Sequence, residues 1–342
     1  FKPEENRFFV PNQSINWSGD KSLILDKPTK VCLDKQEILV SEYDFEKKQN
    51  INTRIPFADI DSLAFISDNS SITKGAIKKL EGKSIFFISK DMPMAFLFWF
   101  NNQNKLYGYS QAMACLSKSK KRKLAFVFCK GVCLGRIKEI RRLQEKRKDP
   151  FLAERLKEMT TLERQLKSVF KDDAKLKGIE GNIAKLFFAC IRHLLPIEVG
   201  FEERNRFGTD VYNVLLNSAH GLLRQKIAMV LLVNGLNTSF GFLHFQKDKC
   251  KPFLGWDFAE FWIPYVDKLC FYMVSKGIIS EKNLVNSKTG EGKWLNKNGW
   301  KILYKLFNER IKGEEFSFKA KSFCDYLDGK IKRFSWKRIK KN

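Results

Sequence analysis

Four side chains in the second half of the chain have the chemistry of an oxygen-rich metal site: Glu180 in IEGNIAKLFF, His244 in GFLHF, and Asp257 with Glu260 in LGWDFAEFWIP. Carboxylates joined by one imidazole suit Mg²⁺ or Mn²⁺, the nitrogen donor tilting the set toward Mn²⁺. Zinc is disfavoured, because neither thiolates nor further histidines accompany them. A cation held there beside a basic surface would neutralise charge on a scissile phosphate and activate an attacking hydroxyl.

Each residue also has a plainer use. Glu180 reads as standing at or near the start of its helix, where a carboxylate serves the helix dipole; Gly181 beside it would let a phosphate or another helix approach. His244, one of three histidines, follows the glycine-bracketed run SFGFLHF, which reads as a turn, and a hydrogen-bonded structural role fits it as well. Asp257 and Glu260, three apart, project from one face of a helical turn. Like charges so close need a cation or an arginine between them. Phe253, Leu254, Trp256, Phe258, Phe261 and Trp262 surround the pair, which argues against ordinary solvation. The ring of Pro264 would clash with the Glu260 carbonyl in an uninterrupted helix, so a bend or a new helix starts beside the acids.

The rest of the chain must position these groups. Its 342 residues, 44 % hydrophobic, suffice for two domains with cores and exclude a wholly disordered chain. The excess of 63 Lys+Arg over 38 Asp+Glu, a formal charge of +25, makes nucleic acid the leading partner through sequence-independent attraction to phosphate. Eight cysteines without a CxxC pair read as free, mostly buried thiols of a reducing cytosol, so a cytoplasmic protein is expected. Apolar runs such as MAFLFWF and LFFACI fall far short of a bilayer span, so no membrane is expected. Nothing at the N-terminus resembles a signal peptide; the first residue is Phe1, as in a chain cut from a longer polypeptide.

From about residue 20 to 110, short β-branched or aromatic runs (SLILD, KVCLD, EILVSEYDF, SLAFIS, SIFFIS, AFLFWF, KLYGY) alternate with Asp, Asn, Gly and Lys, predicting strands. SSITKGAIKKL interrupts them with helical spacing. Past residue 115 the period becomes 3.6. The stretch 117–149 holds 13 Lys+Arg against 3 Asp+Glu, and a stripe from Leu152 to Phe170 follows. A helix from about 180 ends at Pro196, and the longest stripe starts at Asp210, a capping residue, and stops at Gly235. The tail 301–342 carries 13 Lys+Arg against 5 Asp+Glu, with Phe334 and Trp336 among its lysines. The expected fold is α+β: an N-terminal β-rich domain with one inserted helix, residues 1–113, followed by a larger all-α catalytic domain, residues 114–342, with a basic tail.

The order of these strings resembles the CRISPR-associated integrase family, the spacer-acquisition enzymes. EGNIAKLFF is similar to its EGxxAxxYF element, RFGTDVYNVLLN to RDPxNxxLN, GLNTSFGFLH to GLxPxxGFLH and DFAEFWIP to DLxEPFRP; upstream, IPFADIDSLAFIS resembles IPxxDIxxI. The resemblance, over roughly residues 20–310, implies dimerisation mainly through the N-terminal domain and metal ligation by Glu180, His244 and Glu260, with Asp257 as the neighbouring catalytic acid. It implies a complex with a small ferredoxin-like partner protein, capture of short double-stranded DNA, and attack of its 3′-hydroxyls on phosphodiesters at a CRISPR repeat; nicking or cleavage of branched DNA goes with the same chemistry. Arg204, Arg206, Arg224 and Lys226 flank the site helices as candidates for phosphate contacts, and His220, where the family's LNYGY element has its second Tyr, as a further DNA contact. Ile263 stands in place of an Arg, and Val211 and Thr238 in place of prolines. The alternatives are a DNA-binding architectural subunit with a degraded site and a related mobile-element transposase. Some members of the family are fused to a reverse transcriptase, which these residues do not decide.

Overall fold

The computed structural model describes residues 22–335 apart from 26–27, 36, 45–48, 61, 66–68, 81–82, 88–94, 98–106, 245–250 and 288–291. The chain divides into two compact units, 1–105 and 106–342. This division lies slightly before the expected 113/114 boundary for a visible reason. The Tyr107 N–H donates to the Gly235 carbonyl at 3.1 Å, and the Gln111 side chain bonds the Asn237 backbone in both directions, so the segment around 107–116 belongs to the helical unit.

The first unit is built from β1 (Ser22–Leu25), β2 (Thr29–Asp34), β3 (Glu37–Asp44), β4 (Gln49–Pro56), β5 (Ser62–Phe65), β6 (Ser71–Ile72), α1 (Lys74–Lys79), β7 (Ser84–Phe87) and β8 (Ala95–Leu97). One four-stranded sheet runs β4-β3-β2-β6, antiparallel except for the β2–β6 pair; the other runs β1-β5-β7-β8, parallel except for its last pair. Leu23, Leu25, Val31, Ile38, Val40, Ile55, Leu63 and Phe65 fill the core, alternate residues of their strands pointing inward. Thr73 caps the expected inserted helix, its hydroxyl accepting from the Ala76 N–H. β4 was not expected: QNINTRIP is too polar to read as a strand, and only Ile55 on it is fully buried. KLYGY was expected as a strand; its first two residues lie outside the described residues, and Gly108 and Tyr109 open a helix instead.

The second unit contains α2 (Gly108–Leu116), α3 (Lys118–Arg147), α4 (Pro150–Gln165), α5 (Asp173–Leu194), α6 (Val211–Val233), α7 (Phe253–Ala259), α8 (Ile263–Ser275), a hairpin of β9 (Leu284–Asn286) and β10 (Lys293–Leu295), α9 (Lys297–Arg310) and α10 (Gly313–Leu327). The hairpin is the one departure from an all-α unit among the described residues; its strands of three residues are too short to show a period. Caps punctuate the helices: Ser117, Asp149 ahead of Pro150, Asp172, Asp210 and Asn296 each accept backbone N–H groups at a helix start. α3, α4 and α5 pack on one another, while α6 lies against α7, α8 and α10, and α3 also touches α8. Gly135 permits that last approach, since a Cβ there would lie 2.5 Å from the Pro264 ring.

Phe334 corrects the picture of a uniformly basic tail. It is buried against the rings of Phe128, Phe258, Phe261 and Phe323, with centroids 5.1 to 6.0 Å away. Trp336 lies outside the described residues. Cys129, Cys133, Cys190, Cys270 and Cys324 are free and buried, as expected. Among the described residues no helix is long and apolar enough to cross a membrane.

Candidate active site

The site is built from four segments of the helical unit: α3, α5, the turn 241–244, and the α7–α8 junction. The turn is tight because of Gly241: a Cβ there would fall 2.0 Å from the His244 carbonyl oxygen. Asp257, on α7 and fully buried, closes it. Its Oδ2 accepts the N–H groups of Phe242 and Leu243, and its Oδ1 accepts the N–H of His244 at 2.8 Å and pairs with His244 Nδ1 at 2.9 Å. Neutral imidazole bonded in this way carries its proton on Nδ1 and presents the lone pair of Nε2.

That Nε2 lies 3.7 Å from Glu260 Oε1. Glu260 caps the C-terminus of α7, and Pro264 opens α8 just beyond it, so the proline marks a new helix start. Only 7 % of Glu260 is exposed. Burial first, and then the charge of Glu180, push its pKa up to about 7 against the pull of His244, Arg136 and Arg224. Burial of the His244 ring disfavours its charge, yet the Asp257 hydrogen bond and the charges of Glu260 and Asp257 hold its pKa above the ordinary value.

Glu180 does not begin its helix. α5 starts at Asp173, capped by Asp172, which places Glu180 two turns in and beyond the reach of the dipole. The Lys- and Gly-rich run KLKG had concealed that start. Among the described residues, no atom beyond its chain neighbours and its own helix backbone comes within 4 Å of a Cβ placed at Gly181, so no other described helix uses the gap. Glu180 Oε1 instead accepts from Arg136 Nη1 of α3 at 2.7 Å. Arg136 is buried, its guanidinium 5.8 and 5.7 Å from the rings of Phe187 and Phe188; burial opposes its charge, but Glu180, Asp267 and Glu260 hold its pKa well above the usual range. The spacing pairs Asp257 with Glu260, but the acid whose charge acts on Glu260 is Glu180. Asp257 is turned away to the backbone of 242–244.

Arg136 and Asp267 were missed in the sequence. A charge set among Val132, Cys133, Ile137 and Ile140 at helical spacing is the signal that would have found the first, and Asp267 between Val266 and Cys270 the second.

The basic candidates separate into different roles. Arg204 braces the N-terminal half of α6, donating to Asn213 Oδ1 at 3.0 Å and Asn217 Oδ1 at 2.7 Å. Arg224 lies over Trp256 at 5.5 Å, half-buried and near enough to Glu260 to feel its charge. Arg206 is exposed. Lys226 points to α9, donating to Asn308 Oδ1 at 2.5 Å beside the rings of Tyr304 and Phe307. His220 departs from its expected role as a DNA contact: it is buried, with Nε2 2.7 Å from Asp267 Oδ1, because α8 supplies an acid to its ring. Among the described residues no three His, Cys, Asp or Glu side chains stand close enough together to hold a metal ion as placed. The donors nevertheless suit one: two carboxylates that repel each other and an imidazole already oriented by an outer acid.

The family described as "CRISPR associated protein Cas1" matches residues 23–309, and the chain belongs to it. A protein of Methanobrevibacter ruminantium, "CRISPR-associated protein Cas1 3", is 29 % identical over 220 residues, 64 % of this chain and 57 % of that one. "CRISPR-associated endonuclease Cas1" of Mycobacterium tuberculosis is 30 % identical over 141 residues, 40 % of this chain and 41 % of the relative. The chain therefore spans about half the length of these relatives or less. Its fold is similar to that of a "Casposase bound to integration product", with a TM-score of 0.71 at 18 % identity over 94 % of this chain and 96 % of that one.

Proposed function

We propose that this chain is a metal-dependent DNA integrase of CRISPR adaptation, inserting short prespacer duplexes into a repeat array. The observation that carries this reading is His244 Nε2 standing 3.7 Å from Glu260 Oε1, with the imidazole fixed from behind by Asp257 and the Glu260 carboxyl pushed up by burial and then by the charge of Glu180. Glu180, His244 and Glu260 would hold Mg²⁺ or Mn²⁺, which when bound supplies Lewis-acid stabilisation of the scissile phosphate. Asp257 orients the ring of His244 and keeps the 241–244 turn closed. Arg224 adds fixed positive charge beside Glu260, and Arg206, being exposed, would meet a phosphate. The 3′-oxygen of the incoming strand forms a bond to phosphorus as the bridging P–O bond of the target breaks, so the count of phosphodiesters is conserved and no external energy source is needed.

By the same family resemblance the chain would act as a homodimer with a small ferredoxin-like partner, in the cytoplasm. The test is strand joining on a half-site DNA with Mn²⁺ and the partner protein: Glu180→Ala or His244→Ala abolishes joining while DNA binding stays within a few fold. Wild-type joining by either variant overturns the reading. One observation favours a second reading, a DNA-binding architectural subunit: Arg136 already holds Glu180. Absence of saturable Mn²⁺ binding by the wild-type protein would select that alternative. Joining of unrelated target sites as efficiently as a repeat would select a mobile-element transposase.

A further inference from the structure

Behind the site lies a buried polar chain that the reading above leaves without a task. Asp267 is fully buried on α8, where α3 and α6 pack against it. Its Oδ1 meets His220 Nε2 at 2.7 Å. Its Oδ2 lies 3.7 Å from Arg136 Nε, and neither of those two atoms has a hydrogen-bond partner among the described residues. The hydroxyl of Tyr212, close enough to feel the charge of Asp267, is also buried and without a hydrogen-bond partner among the described residues. Arg136 in turn donates from Nη1 to Glu180 Oε1. Four residues from three helices and α5 thus connect His220, Asp267, Arg136 and Glu180 in sequence.

Stability is a poor explanation for this chain. A buried ion pair recovers its desolvation cost only with good geometry and full hydrogen bonding, and well-packed apolar residues do as well or better. Here the Asp267–Arg136 contact is too long for a hydrogen bond and leaves polar atoms orphaned. What the arrangement does accomplish is positional. Arg136, set beside Phe187, Phe188 and Asp267, presents its Nη1 to Glu180. One carboxylate oxygen of Glu180 is then taken by Arg136, and the other is left for a ligand.

We propose that Asp267, acting through Arg136, is a positioning residue for Glu180 at the candidate metal centre. The charge of Asp267 holds the guanidinium, the guanidinium fixes Glu180 through its Oε1, and the other carboxylate oxygen of Glu180 would be offered to a cation. The inference rests on the metal reading of the previous section. Outer partners of this kind typically contribute about 10- to 100-fold in metal affinity.

The test is titration of Mn²⁺ into the full chain, with free Mn²⁺ read by electron paramagnetic resonance, alongside thermal unfolding and metal-free DNA binding. Asp267→Asn keeps the shape of the side chain and removes its charge; Arg136→Lys keeps the charge and removes the fork that spans both acids. Each is expected to weaken Mn²⁺ binding at least about 10-fold, below the unfolding temperature and with metal-free DNA affinity unchanged. Should Asp267→Asn fail to fold, Arg136→Lys decides by the same criterion. A fall in melting temperature with Mn²⁺ affinity within twofold of wild type overturns the inference and leaves the metal reading intact. A wild-type protein that binds no Mn²⁺ overturns the metal reading and this inference with it.

Discussion

Among the described residues the helical unit holds three histidine–aspartate pairs, and the two whose aspartate is fully buried are chemically alike and physically opposite. In each, a fully buried aspartate grips one ring nitrogen: Asp257 takes Nδ1 of His244 at 2.9 Å, and Asp267 takes Nε2 of His220 at 2.7 Å. The His244 side chain is 34 % exposed and sends its second nitrogen toward Glu260; that of His220 is 8 % exposed and sealed within the helix packing. The signs of their pKa shifts follow. For His220, burial wins over the hydrogen bond and charge of Asp267, and the charges of Arg224 and Arg204 add to the lowering. For His244, the Asp257 bond and two acidic charges win over a weaker burial penalty. The same motif therefore makes an acceptor facing a site in one place and a closed internal contact in the other, and what separates them is whether the second nitrogen has somewhere to face.

Breaking the Asp257 side of this comparison should have the largest effect. Asp257→Ala strands three backbone N–H groups in the 242–244 turn and is expected to cost about 3–5 kcal/mol in denaturant unfolding. A cost below about 1 kcal/mol would mean that the turn does not depend on it. His244→Ala should behave differently: strand joining falls by more than about 100-fold, as for loss of a metal ligand or its outer partner, while the unfolding midpoint moves little, because the ring is half-exposed. Equal loss of stability in the two variants would erase the distinction drawn here.

The buried pair is expected to declare itself through pH. His220 has a folded pKa below its unfolded value near 6.5, so between those values the unfolded chain binds more protons. Its contribution is intact above about pH 6.5 and lost as pH falls through the window beneath it. His220→Gln, which keeps a donor for Asp267, should flatten that acid-side loss in urea midpoints measured from pH 7.5 to 5.5; Asp267, Arg204 and Arg224 are the charged groups facing the ring. An unchanged pH profile would assign the lowering to other groups. The smallest effect is expected at Arg206, exposed and outside the network: Arg206→Ala should leave stability alone and reduce the salt dependence of DNA binding by about one unit of slope. A DNA-binding curve unaltered at every salt concentration would remove it from the phosphate contacts.

Much of this was legible in residue order. Asp210 as a helix cap, the 241–244 turn, the helix start at Pro264 and the inserted helix capped by Thr73 all follow from local chemistry that acts within a few residues. β4 and the α5 start were not legible, since polar strand residues and a lysine-rich first turn carry weak periodicity. Asp257 and Glu260 share a turn and yet do separate work, because one faces the backbone of 242–244 and the other faces Glu180; spacing puts side chains on a face without saying what lies opposite.

By itself, then, the sequence determined the two-part α+β architecture, the basic character and the family, along with Glu180, His244, Asp257 and Glu260 as residues of interest. These depend on composition, period and short motifs, all properties of neighbours along the chain. Only the tertiary structure decided that Arg136 of α3 neutralises Glu180 of α5, that Asp267 of α8 stands behind it, and that His220 is turned inward. Charges from distant helices meet only when packing brings them together, and in a low-dielectric interior that meeting outweighs anything their sequence neighbours dictate.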